Sequence, residues 1–245
     1  MIVSCDAIVL NSRKFGNSDK IVSVFSKERG KVSVLAKGAR KSKNKFGSSL
    51  DPMSYSEVFY YEKPGRDLFL LSKSDLIKPL RKIHESFDHI SAGLSIAESV
   101  SQTFEQNFAN VELFDILLRA MQTLNENKEN PFSVFVSFQL SLTDVLGFAI
   151  NTDDTVLPAG SEFVYFSIDR GCVSPAGSSA HTRRFRFDKK VFEVLKHLSS
   201  IPIEQAPETV CDEHSQKQLY NFFVNYFSFH LERSFSYKTY KMLMI

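Results

Sequence analysis

The hydrophobic period of the chain changes once, close to Pro79, and that change governs what the chain can fold into. Before it, apolar residues come in short runs with a period near two: residues 2–10 alternate imperfectly, 21–25 are β-branched and apolar, and 31–36 alternate cleanly. Residues 55–61 are rich in aromatics and 68–71 form a last short apolar run. Turn signals separate the runs, namely Gly16-Asn17-Ser18-Asp19, Arg29-Gly30, Asp51-Pro52 and Pro64-Gly65. Five short strands with little helical period between them predict a small closed barrel, of which the oligonucleotide-binding (OB) fold is the five-stranded kind.

After Pro79 the period is helical. Phe87, Ile90, Leu94, Ala97, Phe104 and Phe108 fall on one stripe, and Phe114, Leu117, Leu118, Met121 and Leu124 on a second. A third helix starts at Asn130-Pro131, with Asn130 as N-cap, runs through Phe132, Phe135, Gln139, Leu142 and Leu146, and stops at Gly147. Three helices on short links predict a bundle. Residues 151–184 have turn composition with one strand at 163–168. Asp188 caps a short helix, 201–207 link, and a last helix covers 215–233. The expected architecture is therefore α+β and multidomain: an OB-fold barrel at 1–79, then an all-α bundle at 80–245 with a loop region inserted at 148–187.

Charge is unevenly spread on a nearly neutral chain. From Lys27 to Lys45 there are eight Lys/Arg against the single acid Glu28, whereas residues 101–160 hold eight acids against Arg119 and Lys128. Lys37, Arg40, Lys41, Lys43 and Lys45 follow the third strand directly, with Phe46 behind them. Mobile cations on a rigid strand beside an aromatic suit a polyanion with stackable bases, such as a nucleic acid. The same run also fits a merely solvated loop.

Other chemistry is scarce. The six histidines show no HExxH and no ligand spacing with a cysteine, which leaves them at the surface or at helix ends. No GxGxxG, Walker-A or GxSxG pattern is present. The three cysteines (5, 172, 211) are far apart and unpaired by any CxxC, so neither a disulfide framework nor a cysteine-built metal site is expected. Nothing demands an enzyme. No leader pattern and no spanning apolar run is visible, so a reducing cytoplasmic setting without a membrane role is expected. Twenty-three Phe and no Trp make Phe the chief filler of the core.

The order of these pieces resembles one family, the bacterial recombination mediator RecO. Ala7-Ile8-Val9-Leu10, Arg13 and Phe15-Gly16-Asn17-Ser18-Asp19-Lys20-Ile21-Val22 look like its opening strand and turn, although the family usually has Glu where Asn17 stands. Gly30-Lys31 with Ala36-Lys37-Gly38-Ala39-Arg40 resembles its basic hairpin, and Leu50-Asp51-Pro52-Met53 the segment after it. His230-Leu231-Glu232-Arg233-Ser234-Phe235-Ser236-Tyr237-Lys238 resembles its last helix and tail. The likeness is strong over residues 7–53 and weak in the helices.

The resemblance implies a non-enzymatic DNA repair and recombination mediator, cytoplasmic and associated with the nucleoid during repair. Such a protein binds single- and double-stranded DNA, anneals complementary strands, engages the C-terminal tail of single-strand-binding protein, and works with RecR to load RecA. Arg13 and Lys14 then join Lys37, Arg40, Lys41, Lys43, Lys45 and Phe46 as candidate DNA contacts. Arg119, Arg233, Tyr237 and Lys238 become candidates for the acidic, aromatic-tipped tail. Two readings compete: an OB-fold RNA-binding factor of translation, and a protein-interaction module with no nucleic-acid role. Many family members also bind zinc through two CxxC pairs after the bundle. Here Leu146-Gly147-Phe148 is in place, but residues 151–160 contain no Cys, and Ser174-Pro175-Ala176-Gly177 stands where the second pair would be, with Cys172 off position. A structural zinc needs four good ligands, so a degenerate zinc-finger-like loop with no metal and no other cofactor is expected.

Overall fold

The computed structural model describes residues 1–155, 160–175 and 183–241. They pack into two compact units, residues 1–126 and 127–245.

The first unit is built on Ile2–Phe15 (β1), Asp19–Ser26 (β2), Gly30–Ala36 (β3), Tyr55–Tyr61 (β4) and Leu68–Lys78 (β5). They close as a barrel in the order β1-β2-β3-β5-β4, with β1 returning to β4. All pairs are antiparallel except β3 with β5. This is the OB-like barrel that the alternation predicts. Small and β-branched residues face inward, among them Ala7, Val9, Val22, Val24, Val32, Val34 and Val58, because a five-stranded barrel leaves a narrow interior. A bulge between Val9 and Asn11 lets β1 bend and serve both neighbours.

The connection from β3 to β4 has no regular structure, yet it sends Ala39, Phe46 and Leu50 into the barrel core. Phe46 was expected to stack on a base. It is instead 5% exposed, because removing an aromatic ring from water here gains more than a solvated loop would.

Two helices, Phe87–Thr103 (α1) and Val111–Glu126 (α2), follow a short 3-10 turn at Arg81–Glu85 and cover one outer side of the barrel. Phe25 meets Phe104 edge-on at 5.7 Å and Tyr55 meets Phe114 at 6.3 Å. The three helices expected as one bundle are thus divided between the units, with Pro131–Val145 (α3) in the second. The buried stripe of α1 is also rotated from the expected one. Its contacts come from His89, Ala92, Ile96, Ala97 and Val100, while Phe87 and Phe108 stay exposed. Small residues let α1 approach the 3-10 turn and barrel closely, and His89 is core rather than surface. The segment between the helices lies along β3, where Lys31 bridges Gln106 and the Asn107 N–H donates to the Lys31 carbonyl at 2.9 Å. Gly30 is needed there, since its φ is +65° and a Cβ would lie 2.0 Å from the Phe108 carbonyl oxygen.

In the second unit α3 is buried on nearly every side and packs with a 3-10 turn at Ile203–Glu208, with Lys189–Ser200 (α4) and with Glu213–His230 (α5). Asn130 does not cap α3 as expected. It sits at φ 44° with its amide donating to the Pro207 carbonyl at 2.7 Å, which ties the helix start to the 3-10 turn instead. Asp188 flanks α4 without a side-chain cap bond; its carboxylate meets His214 at 2.6 Å. The effective cap is Asp212 on α5, which accepts from the Ser215 N–H at 2.8 Å. A short final helix, Lys238–Lys241 (α6), follows.

The inserted region holds more than the single expected strand. Phe163–Ser167 (β6), Cys172–Ser174 (β7) and Arg184–Asp188 (β8) form an antiparallel sheet in the order β7-β6-β8. Its inner side is fastened to α5 by aromatic contacts, with Phe166 5.2 Å and Phe187 4.8 Å from Phe222. The Tyr226 hydroxyl adds bonds to the carbonyls of Phe148 and Ala149. Ala176 and Gly177, half of the expected relic of a zinc-binding pair, lie outside the described residues, as do residues 156–159.

Candidate nucleic-acid interface

Strand register assembles a surface that no single segment announces. Arg13 pairs with Ile21, Ile21 with Leu35, Leu35 with Leu70, and Leu70 with Tyr61. Residues opposite one another share a face of a sheet, so these five side chains form one row across the outside of the barrel. The row is apolar in the middle and is not covered: Leu70 is 38% and Tyr61 41% exposed. Leu35, Leu68, Leu70 and Tyr61 line a shallow cavity of about 490 Å³, whose rim carries Lys37, Lys63 and Arg66. At the other end of the face, Arg13, Lys14 and the 47%-exposed ring of Phe15 stand at the tip of the β1–β2 hairpin. In OB barrels the side formed by the second and third strands, with the loops after the first and fourth, is the one that takes oligonucleotides.

The basic run divides into two groups. Lys27 pairs with Asp115 at 2.9 Å, Arg29 with Glu62 at 3.5 Å, and the Lys31 ammonium donates to the Ser101 carbonyl. Lys27 and Lys31 thus link the barrel to its helices, and Arg29 links the start of β3 to the end of β4. The remaining five stay with the loop. Arg40 donates from Nη1 to the carbonyls of Gly16 and Asn17, and its own N–H reaches the Ser18 carbonyl at 2.9 Å. It therefore clamps the loop to the hairpin turn. Asp19 completes the clamp by accepting from the Gly38 N–H at 2.8 Å and the Ser18 hydroxyl at 3.0 Å. Those bonds, the Gly38 N–H first, hold its carboxyl below the ordinary aspartate range. This acid beside the cationic loop is thus engaged with the backbone. Lys45 lies 5.1 Å over the ring of Phe46 and donates to the Ser72 carbonyl, while Lys37, Lys41 and Lys43 are exposed.

Sequence reasoning missed Tyr61, Lys63, Arg66, Leu68 and Leu70. The turn Lys63-Pro64-Gly65-Arg66 carried a legible signal, two cations about a Pro-Gly corner. The placement of Leu70 beside Leu35 did not, because it depends on pairing strands far apart in sequence.

The tail candidates separate. Arg119 is exposed on α2 in the first unit, and Arg233 and Lys238 are exposed in the second. Tyr237 is wholly buried, 5.1 Å from Phe135 and 5.0 Å from Phe235, so its ring fills core and is not available to a peptide. Tyr226 and Phe227 are likewise core.

Among the described residues, those standing where the family carries its zinc-binding pairs do not fit a metal. Cys172 is half-buried in β7, and among the described residues no three His, Cys, Asp or Glu side chains group to hold an ion. The described part of the loop is held by Phe166, Phe185 and Phe187 against Phe222. Among the described residues no helix is long and apolar enough to cross a membrane.

The closed five-stranded barrel places the first unit in the OB-like class of folds. The comparisons narrow this. A family model described as recombination protein O N terminal matches residues 1–80, and one described as recombination protein O C terminal matches residues 84–238. A DNA repair protein RecO from Salinibacter ruber is 34% identical over 185 residues, covering 75% of this chain and 71% of that protein. Those from Chloroherpeton thalassium (26% over 243 residues, 95% and 94% covered) and Rhodopirellula baltica (31% over 212 residues, 83% and 77% covered) carry the same name. The chain belongs to the RecO family of DNA repair proteins.

Proposed function

We propose that this chain is a non-enzymatic recombination mediator whose barrel, residues 1–79, binds DNA and whose remainder, residues 80–245, serves partners. The observation that carries the DNA-binding part is the outward row from Arg13 through Leu35 and Leu70 to Tyr61. Cations at both ends of an apolar and aromatic strip offer charge to phosphates and flat surface to bases. Lys14, Lys37, Arg40, Lys41, Lys43 and Lys45 extend the cationic part, with Arg40 also positioning the loop. Such a surface takes a single strand by stacking and a duplex through its backbone.

Family membership supports the rest: annealing of complementary strands, engagement of the C-terminal tail of single-strand-binding protein, and action with RecR to load RecA in the bacterial cytoplasm, at the nucleoid during repair. Arg119, Arg233 and Lys238 are the exposed cations proposed for the acidic tail.

The test is annealing of complementary oligonucleotides together with salt-dependent binding of a labelled single strand. Replacing Arg13 and Lys37 by Ala should flatten the log–log salt slope by about 1.4, at roughly 0.7 per lost phosphate contact. Tyr61→Ala should weaken binding while leaving the slope unchanged. Unchanged slope and affinity in all these variants would refute the barrel face. Equal affinity for RNA without annealing would instead favour a translation factor, and no polyanion binding would favour a protein-interaction module.

A further inference from the structure

The second unit holds a concentration of cations that the barrel reading does not use. Between Glu162 and Lys190 there are six Lys/Arg (170, 183, 184, 186, 189, 190) against three acids (162, 169, 188). Two of the acids are engaged: Asp188 with His214 at 2.6 Å, and Asp169 with the Ser167 hydroxyl at 2.5 Å.

Strand alternation decides where these side chains point. Phe163 pairs with Asp188, Tyr165 with Arg186, and Ser167 with Arg184, so these residues share one face of the sheet. Val164, Phe166, Phe185 and Phe187 take the other, which is the side packed on Phe222 and Tyr226 of α5. The first face is therefore outward along Phe163, Tyr165 and Arg186, while Ser167 at its far end is buried. On it the Arg186 guanidinium lies 4.7 Å over the ring of Phe163, which remains 37% exposed, and Tyr165 is half-buried alongside. Arg183, exposed and directly before β8, falls by the same alternation on the other side, 5.8 Å over the ring of Phe229 of α5.

We propose that this outward face of β6 and β8, carrying Phe163, Tyr165, Arg184 and Arg186, is a second surface for single-stranded nucleic acid, on the unit that lacks the barrel. Guanidinium groups supply paired donors to phosphate oxygens, and the rings beside them supply the stacking surface that a purely acidic peptide has no use for. The platform is preformed, because its inner side is fastened to a helix, so little ordering entropy is lost on binding. Two surfaces on one chain hold two strands at once, which raises their effective concentration for pairing. That consequence for annealing rests on the function proposed above; the surface itself stands on its own geometry.

The experiment uses the full chain, a labelled thirty-nucleotide poly(dT), and a pair of complementary oligonucleotides. Arg184→Gln/Arg186→Gln should flatten the salt slope by about 1.4 and slow annealing at least tenfold, while the barrel variants still show their own loss. Phe163→Ala should weaken binding about fivefold or more with the slope unchanged, and Phe163→Tyr should restore it. If the double arginine variant and Phe163→Ala bind and anneal like wild type while the barrel variants fail, this surface is refuted and the barrel reading survives. If the sheet variants fail while the barrel variants behave like wild type, this surface is upheld and the barrel reading falls. If the arginine variant keeps its affinity for the oligonucleotide but loses that for poly-glutamate, the face takes an acidic peptide and the proposal is overturned.

Discussion

Phe46 separates a structural reading of the basic loop from a ligand-binding one. A ring beside five cations invites the idea that it stacks on a base, yet it is 5% exposed and belongs to the barrel core. Most of the cluster it belongs to is small or β-branched residues of the strands, which cannot expand to fill the space a lost ring would leave. Phe46→Ala should therefore cost about 3–5 kcal/mol, the transfer of the ring plus the cavity left behind. Part of that is the contact with the Lys45 ammonium 5.1 Å above the ring, worth about 0.5–1 kcal/mol. Domains have only about 5–15 kcal/mol in hand. At roughly 4 °C per kcal/mol, the barrel should melt about 12–20 °C lower.

Phe46→Leu removes the aromatic face but keeps most of the volume, so it should cost only about 1 kcal/mol. The assay is a circular dichroism melt of each variant beside anisotropy with a labelled single strand at 15 °C, where both variants stay folded. Phe46→Leu should bind like wild type. A stacked base contributes about 1–3 kcal/mol. Both variants melting within about 2 °C of wild type, with Phe46→Leu losing fivefold or more in affinity, would refute the reasoning and return the ring to the ligand.

Gly30→Ala should lower the melting temperature by the equivalent of about 2 kcal/mol or more, because φ is +65° and the Phe108 carbonyl leaves no room; Gly65→Ala, at φ +71° in open space, should cost less in the same scan. Asp19 and Asp212 have carboxyls held below their ordinary range, Asp19 by the Gly38 N–H and Asp212 by hydrogen bonds from Ser215. Their stabilisation is present above about pH 4 and is lost as pH falls through the lowered folded values. Asp19→Ala and Asp212→Ala should therefore melt below wild type at pH 7 and converge with it near pH 2–3; a gap constant across pH would contradict this. Elemental analysis should find zinc far below one per chain, and a chelator should leave the melting curve in place; a stoichiometric metal would overturn the packing account of the loop.

What the sequence determined by itself was local. Alternation and turn residues located all five barrel strands, since a strand's two faces are written in a period of two. Spacing also located α3 and α5, and charge counting found the loop that carries Lys37, Lys41 and Lys43. Tertiary structure decided which of these features are left facing solvent. Parallel pairing of β3 with β5 set Leu35 beside Leu70 and made one outward row from residues that are unremarkable singly. Burial took Phe46 and Tyr237 out of the candidate sites, and ion pairs turned Lys27 and Arg29 toward structural work. Of the sheet at β6–β8 the sequence showed only the strand at 163–168, because Cys172–Ser174 and the brief alternation Arg184-Phe185-Arg186-Phe187 are too short to stand out until β6 lies between them. In each case the reason is the same. Periodicity fixes which side of an element a residue occupies, but whether that side meets solvent, core or ligand depends on which distant segment packs against it.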